Sequence, residues 1–144
     1  MEITLEPVHR DNVTVLCRLE SKPGQERFVA PNAITLAEAH YYPGSFVRGI
    51  YADGEPVGVI WVAREDPVEP PFMVRLSIAG TRQGEGIGAE AVALLQDELR
   101  AEGESELELS FVPGEDGPQG FYERLGFEDT GRTLEGELIW RKDL

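Results

Sequence analysis

The chain has 144 residues, 41% of them hydrophobic and 28% charged, the proportions of one soluble globular domain that buries its core without staples. Twenty-seven acids against thirteen bases leave a net charge of −14, which argues against nucleic acid and anionic membranes as partners and suits either solubility or the attraction of cationic substrates. A single cysteine excludes an internal disulfide, two histidines without ligand spacing give no metal site, and the lack of a long apolar run or a basic leader points to the cytoplasm.

Residues 2–7 alternate, with Ile3 and Leu5 on one face, as a short first strand does. Asp11 or Asn12 can cap a helix in which Val13, Leu16 and Cys17 share a face, with Cys17 as a core thiol. That helix fades at the turn cluster Ser21–Gly24, and residues 26–31 are ambiguous. Thr35-x-x-Glu38 has the form of a capping box opening a brief second helix, stopped by Pro43 and Gly44. Residues 46–51 and 57–63 read as strands joined by a turn at Asp53–Gly54, and the second is apolar on both faces, as a central strand is. Three prolines and three acids make 64–71 a polar loop.

The next stretch carries the chemistry. Val74, Leu76 and Ile78 alternate in a strand over 72–78, and Gly84, Gly86 and Gly88 follow at alternate positions. Ala91, Val92, Leu94, Leu95 and Leu99 then mark a helix that Gly103 ends as a left-handed cap. A glycine-rich turn opening a helix aims free N–H groups and the positive end of the helix dipole at one point, a cradle for phosphate or pyrophosphate. Gly84-x-Gly86-x-x-Ala89 matches the dinucleotide fingerprint, but the strand–helix units that such a fold needs beyond it are missing. Further on, Leu107, Leu109 and Phe111 alternate in a strand, Pro118 opens a helix with Phe121 and Leu125 on its inner face, and Gly126 ends it. Strands over 127–130 and 137–141 complete the sheet, and with no repeat or linker residues 1–144 are expected to form a single domain.

Two motifs together carry a family resemblance. Gln83-x-x-Gly86-x-Gly88, between strand and helix, resembles the acetyl-CoA pyrophosphate loop of the GNAT superfamily of N-acetyltransferases. The run from Gly120 through Phe121, Tyr122 and Leu125 to Gly126-Phe127 resembles the tyrosine-bearing helix and Leu-Gly-Phe of the same superfamily, one helix and one strand further on. Within it the chain looks most like bacterial spermidine/spermine-type acetyltransferases, through Gln25-x-x-Phe28-Val29, Arg75-Leu76 and the three glycines. The resemblance implies a mixed α/β fold, a central twisted and mostly antiparallel sheet of six to seven strands flanked by about four helices.

It also implies roles. Main-chain groups of Leu76, Ser77 and Ile78 would pair with the pantetheine arm, one amide polarising the acetyl carbonyl. Gln83, Gly84, Glu85, Gly86, Ile87, Gly88 and Ala89 would wrap the pyrophosphate, and Tyr122 would protonate the departing CoA thiolate after direct attack by a neutral amine. Gln25, Glu26, Phe28 and Tyr42 are the candidate acceptor-site residues. No base stands out among Glu26, Glu38, His40, Tyr41 and Tyr42, and a base can act through water. The chain departs from the family pattern at Glu85, where a basic residue is frequent, and at Val74, Gly80 and Glu115. The implied partners are acetyl-CoA and a small primary amine such as a polyamine. An antibiotic amine, a protein N-terminus and a catalytically silent acyl-CoA-binding module are the alternatives, and a homodimer stays open.

Overall fold

Alternating and helical periodicities resolve, in the computed structural model, into twelve elements over the described residues 1–66 and 69–144. In chain order they are β1 (Ile3–Pro7), α1 (Val13–Arg18), α2 (Asn32–Ala39), β2 (Phe46–Ala52), β3 (Glu55–Ala63), β4 (Phe72–Ile78), a 3-10 turn (Gly80–Arg82), α3 (Ile87–Ala101), β5 (Glu106–Phe111), α4 (Gln119–Arg124), β6 (Glu128–Leu134) and β7 (Glu137–Asp143). The strands form one sheet in the order β1-β2-β3-β4-β5-β7-β6, antiparallel at every step except β4–β5. That step is parallel because α3 carries the chain back across the sheet between the two strands. This is the mixed α/β architecture expected from the sequence. The polar loop expected over 64–71 includes residues 67 and 68, which lie outside the described residues.

Both faces of the sheet are covered, which accounts for a central strand that is apolar throughout. On β3, Ile60 and Val62 join the core beneath α3, with Ala91, Val92, Leu95 and Leu99, while Val59, Trp61 and Ala63 face the side of α1 and α2. Each fully buried Val, Ile or Leu side chain contributes about 1.5–3 kcal/mol, so this strand alone anchors both layers. Among the described residues no helix is long and apolar enough to cross a membrane.

The hairpin turns follow their sequence. Asp53 and Gly54 have φ of 50° and 80°, the paired positive values that a two-residue hairpin needs. Glu135 and Gly136, at 50° and 86°, do the same for the β6–β7 hairpin, and β6 therefore runs further than the sequence pattern suggests. The capping box does not form. Helix α2 starts earlier, with Pro31 at its N-cap, so Thr35 lies inside the helix. Thr35 and Glu38 are turned inward to Arg75 of β4, whose Nη1 donates to Thr35 Oγ1 at 3.4 Å and Glu38 Oε1 at 3.1 Å. Asn12 occupies the N-cap of α1 but is spent elsewhere, accepting from the His9 N–H and donating to the Pro7 carbonyl and the Tyr51 hydroxyl.

The feature that makes a site is an interrupted ladder. Strands β4 and β5 pair only at Phe72–Glu108 and Met73–Leu109. Just beyond, β4 bulges: Arg75 pairs with Trp61 and Met73 with Val62, leaving Val74 as the extra residue. A bulge bends its strand and steepens the local twist, so the two strands diverge and the β5-facing backbone of 74–78 has no strand partner. On its other side β4 is pressed close to β3. A Cβ at Gly58 would lie 2.3 Å from the Ser77 carbonyl oxygen. Gly58→Ala is therefore expected to shift β4 and lower stability by about 1–3 kcal/mol, as overpacking does; urea denaturation measures it, and an unchanged midpoint would contradict the close approach.

Candidate active site

Where β4 and β5 part, a cleft of about 1110 Å³ opens between them. One wall is Leu76, Ser77 and Ile78 with Gln83, Gly84 and Gly88, and the other includes Phe111, Phe121 and Tyr122. Gln25, Glu26 and Phe28 from the segment before α2, and Tyr42 after it, border the same space. The structure thus brings eleven of the fifteen sequence-expected site residues to one cleft. Glu85, Gly86, Ile87 and Ala89 do not line it. Ile87 is a core residue, 1% exposed, so only its main-chain N–H can face a ligand.

The glycine turn has the geometry of an anion cradle. Gly84 and Gly86 have φ of +82° and +84°, values that L side chains resist, and the space beside each is open. Gly86 is the left-handed N-cap of α3. The next N–H groups, those at the start of a fifteen-residue helix, have no intrahelical acceptor and carry the positive end of its dipole. Gly88 serves packing instead, since a Cβ there would come within 3.1 Å of the Phe121 ring of α4. Glu85 is neutralised locally. Arg82 Nε donates to it at 3.0 Å and Nη2 at 3.3 Å, while Nη1 reaches Glu55 at 3.4 Å. That hydrogen bond to Glu85 is the main reason the guanidinium holds its proton even more firmly than usual.

Tyr122, 7% exposed, is the most buried residue of α4, deeper than Phe121 and Leu125, which the spacing placed inward. Rings of Phe111, Phe121 and Phe127 surround it at centroid distances of 5.7, 5.1 and 5.8 Å. Among the described residues the one fully enclosed side-chain polar atom without a partner is Trp140 Nε1, so the Tyr122 hydroxyl is not sealed off, and the residue borders the cleft. Burial pushes its phenol well above the ordinary value, which keeps the proton on oxygen throughout the neutral range.

Sequence reasoning missed one cluster. Ser110 of β5 donates its hydroxyl to Glu137 Oε1 at 3.0 Å, and Glu108 is paired with Arg132, all four bordering the cleft. In sequence these residues of β5, β6 and β7 signalled only half-buried or exposed strand faces. Trp61, 1% exposed, is chiefly core, its Nε1 bonded to Ser45 and its ring edge-on to Tyr42 at 5.5 Å. Tyr41 and His40 are exposed outside this cleft. No cluster of three or more His, Cys, Asp or Glu among the described residues is placed to hold a metal ion.

A family model for the acetyltransferase (GNAT) family matches residues 13–127, from the start of α1 through the Leu-Gly-Phe run. The chain belongs to the acetyltransferase (GNAT) family. No curated protein matches it by sequence. Among solved structures it is similar to PaiA N-acetyltransferase from Thermoplasma acidophilum in complex with coenzyme A, with 16% identity, 100% of each chain covered and a TM-score of 0.75. It is also similar to an aminoglycoside 6'-N-acetyltransferase complexed with coenzyme A, with 18% identity, 99% of this chain and 97% of that chain covered and a TM-score of 0.75. A third likeness is to an acetyltransferase from Salmonella typhimurium that modifies the N-terminal serine of a 50S ribosomal subunit protein, with 15% identity, 99% and 95% coverage and a TM-score of 0.79. At these identities the likeness is one of fold, and it extends over the full GNAT sheet.

The raised phenol has a consequence for stability. Its folded pKa lies above the ordinary value of about 10. As pH climbs past that value the unfolded chain loses the proton first, so stability falls. The stability of wild type relative to Tyr122→Phe is expected to be constant below about pH 9.5 and to decline above about pH 10; urea denaturation at successive pH values reads it, and a constant difference up to about pH 11 would contradict the upward shift of the phenol.

Proposed function

We propose that this acetyltransferase moves the acetyl group of acetyl-CoA directly to a primary amine, with Tyr122 as general acid. One observation carries the reading: Tyr122, the β5-facing backbone of 74–78 and the first residues of the glycine turn, Gln83 and Gly84, all border a single cleft. The pyrophosphate rests on main-chain N–H groups at 84–89, and the pantetheine arm takes the place of the missing ladder along β4. An N–H of β4 stabilises the oxygen of the tetrahedral intermediate. The neutral amine attacks the thioester carbonyl, a proton leaves the nitrogen, the C–S bond breaks, and the thiolate takes the phenolic proton of Tyr122. Glu26, Glu38 and Glu137 border the cleft, where a carboxylate can accept the amine proton through water.

The acceptor is a small cationic amine, with polyamines the first class to try. The support is charge: the cleft is bordered by Glu26, Glu38, Glu65, Glu69, Glu108, Asp116, Glu135 and Glu137 against Arg27, Arg64, Arg75 and Arg132, within a chain of −14. Of these bases, Arg75 is tied to Glu38 and Arg132 to Glu108, so the acids remain in excess. Of the structural neighbours, one acts on an aminoglycoside and another on the N-terminus of a ribosomal protein, amines of quite different size.

Thiol release from acetyl-CoA across a panel of polyamines, aminoglycosides and N-terminal peptides tests this directly. Turnover with polyamines is expected; turnover confined to peptides would move the acceptor class, and none at all would leave an acyl-CoA-binding module. In Tyr122→Phe, kcat is expected to drop about 10²–10⁴-fold with CoA affinity little changed, the contribution of a positioned acid; a kcat within a factor of about two removes the assignment. With the accepted amine, kcat/KM is expected to fall as salt rises, whereas an amine with an uncharged tail responds little.

A further inference from the structure

Residues 20–30 contain no helix or strand, yet they are fixed at three places. At the first, the Gly80 N–H donates to the Glu20 carbonyl at 2.7 Å. Lys22 lies so close that a Cβ at Gly80 would come within 2.9 Å of its backbone nitrogen. At the second, Gln25 and Gln83 exchange two side-chain hydrogen bonds, Gln25 Nε2 donating at 3.0 Å and Gln83 Nε2 at 2.8 Å. Gln25 Oε1 also accepts the Lys22 N–H at 2.9 Å, and Gln83 Nε2 also donates to the Ile78 carbonyl at 3.0 Å. At the third, the Phe28 ring lies against Gly114 and Gly117 in the loop between β5 and α4, where a Cβ would approach it to 3.1 and 2.9 Å. The Arg27 guanidinium stacks on that ring at 4.5 Å.

The segment therefore crosses from the cradle side of the cleft to the Tyr122 side. Its middle anchor is the residue that opens the cradle, and the Gln83 side chain is spent on Gln25 and Ile78. We propose that Gln25 is a positioning residue for the donor, its two hydrogen bonds to Gln83 locking the first turn of the cradle to a strap, residues 20–30, seated on the opposite wall. This rests on the reading of 84–89 as the pyrophosphate site.

The physical route is short. Pyrophosphate held by the N–H groups beyond Gln83 restricts that turn, and the paired amides pass the restriction to Gln25. The Gln25 carbonyl accepts from the Phe28 and Val29 N–H groups at 2.9 and 3.2 Å, so the ring-bearing end of the strap is ordered with it. By linkage, whatever orders the strap favours the donor to the same degree. The amine, entering beside Glu26 and Phe28, then meets a wall that is firmer with acetyl-CoA in place than without it.

Hydrogen exchange read by mass spectrometry, with and without saturating CoA, tests this on peptides covering 20–30 and 83–90. In wild type, CoA is expected to slow exchange in both. In Gln25→Ala the slowing is expected to persist in 83–90 and vanish in 20–30, with the Kd for CoA raised roughly tenfold for two lost hydrogen bonds. Gln25→Ala and Gln83→Ala should be non-additive, the double variant binding CoA about as the weaker single one does. Slowing confined to 83–90 in wild type, or slowing of 20–30 that survives Gln25→Ala, overturns the strap coupling while the cradle stands. No slowing in 83–90 overturns the cradle, and this inference with it.

Discussion

The site exists because one β-ladder stops early. Strands β4 and β5 are joined by two residue pairs and then separate, and a parallel pair broken inside a sheet leaves main-chain donors and acceptors facing an open cleft. Groups of that kind are costly to bury unpaired, so the gap is stable only if water or a ligand with a complementary backbone fills it. The bulge at Val74 sets where the break begins, and the close fit of Gly58 against the Ser77 carbonyl fixes β4 on its other side. The cradle at Gly84–Gly86 and the helix bearing Tyr122 then hang from the two diverging ends.

Three further contacts keep the walls in register. Ser77 donates its hydroxyl to Asn32 Oδ1 at 2.6 Å, and Asn32 Nδ2 donates to the Leu16 carbonyl at 2.9 Å, tying the end of α1 and the start of α2 to a β4 residue that lines the cleft. Arg75 does the same two residues earlier through Thr35 and Glu38. The α3–α4 contact, Phe121 against Gly88, sets the distance between cradle and tyrosine. Helices that look peripheral in sequence are thus the braces of the strand that walls the cleft.

Much of this was legible before any coordinates, and what was legible was local. Alternation marked β1, β4 and β5, a run apolar on both faces marked β3, glycines marked the turns, and the order of glycine loop and tyrosine helix marked the family. What stayed hidden depends on contacts across tens of residues. Thr35-x-x-Glu38 is the same string whether it caps a helix or faces Arg75, and only the tertiary partner decides. Gly58, Gly114 and Gly117 read as ordinary loop or strand glycines, yet they serve space rather than conformation, each leaving room for an atom from a distant segment. Gln25 was singled out for an acceptor, and the structure pairs it with Gln83. The Ser110–Glu137 pair needed the β5–β7 register to become visible.

Arg82 gives both ends of its guanidinium to Glu85 and Glu55, so the cradle offers a polyanion dipoles rather than a free cation. Dipoles act over a few ångströms and are barely screened, while the −14 of the whole chain acts across the solution and is screened strongly. The two substrates therefore meet opposite weather on approach. At low ionic strength the polyanionic donor is repelled and the cationic amine proposed as acceptor is drawn in; at high ionic strength the donor arrives freely and that amine loses its guidance. With the proposed acceptor, such an enzyme would have a preferred salinity, set by the surface as a whole and not by any residue that touches the reaction.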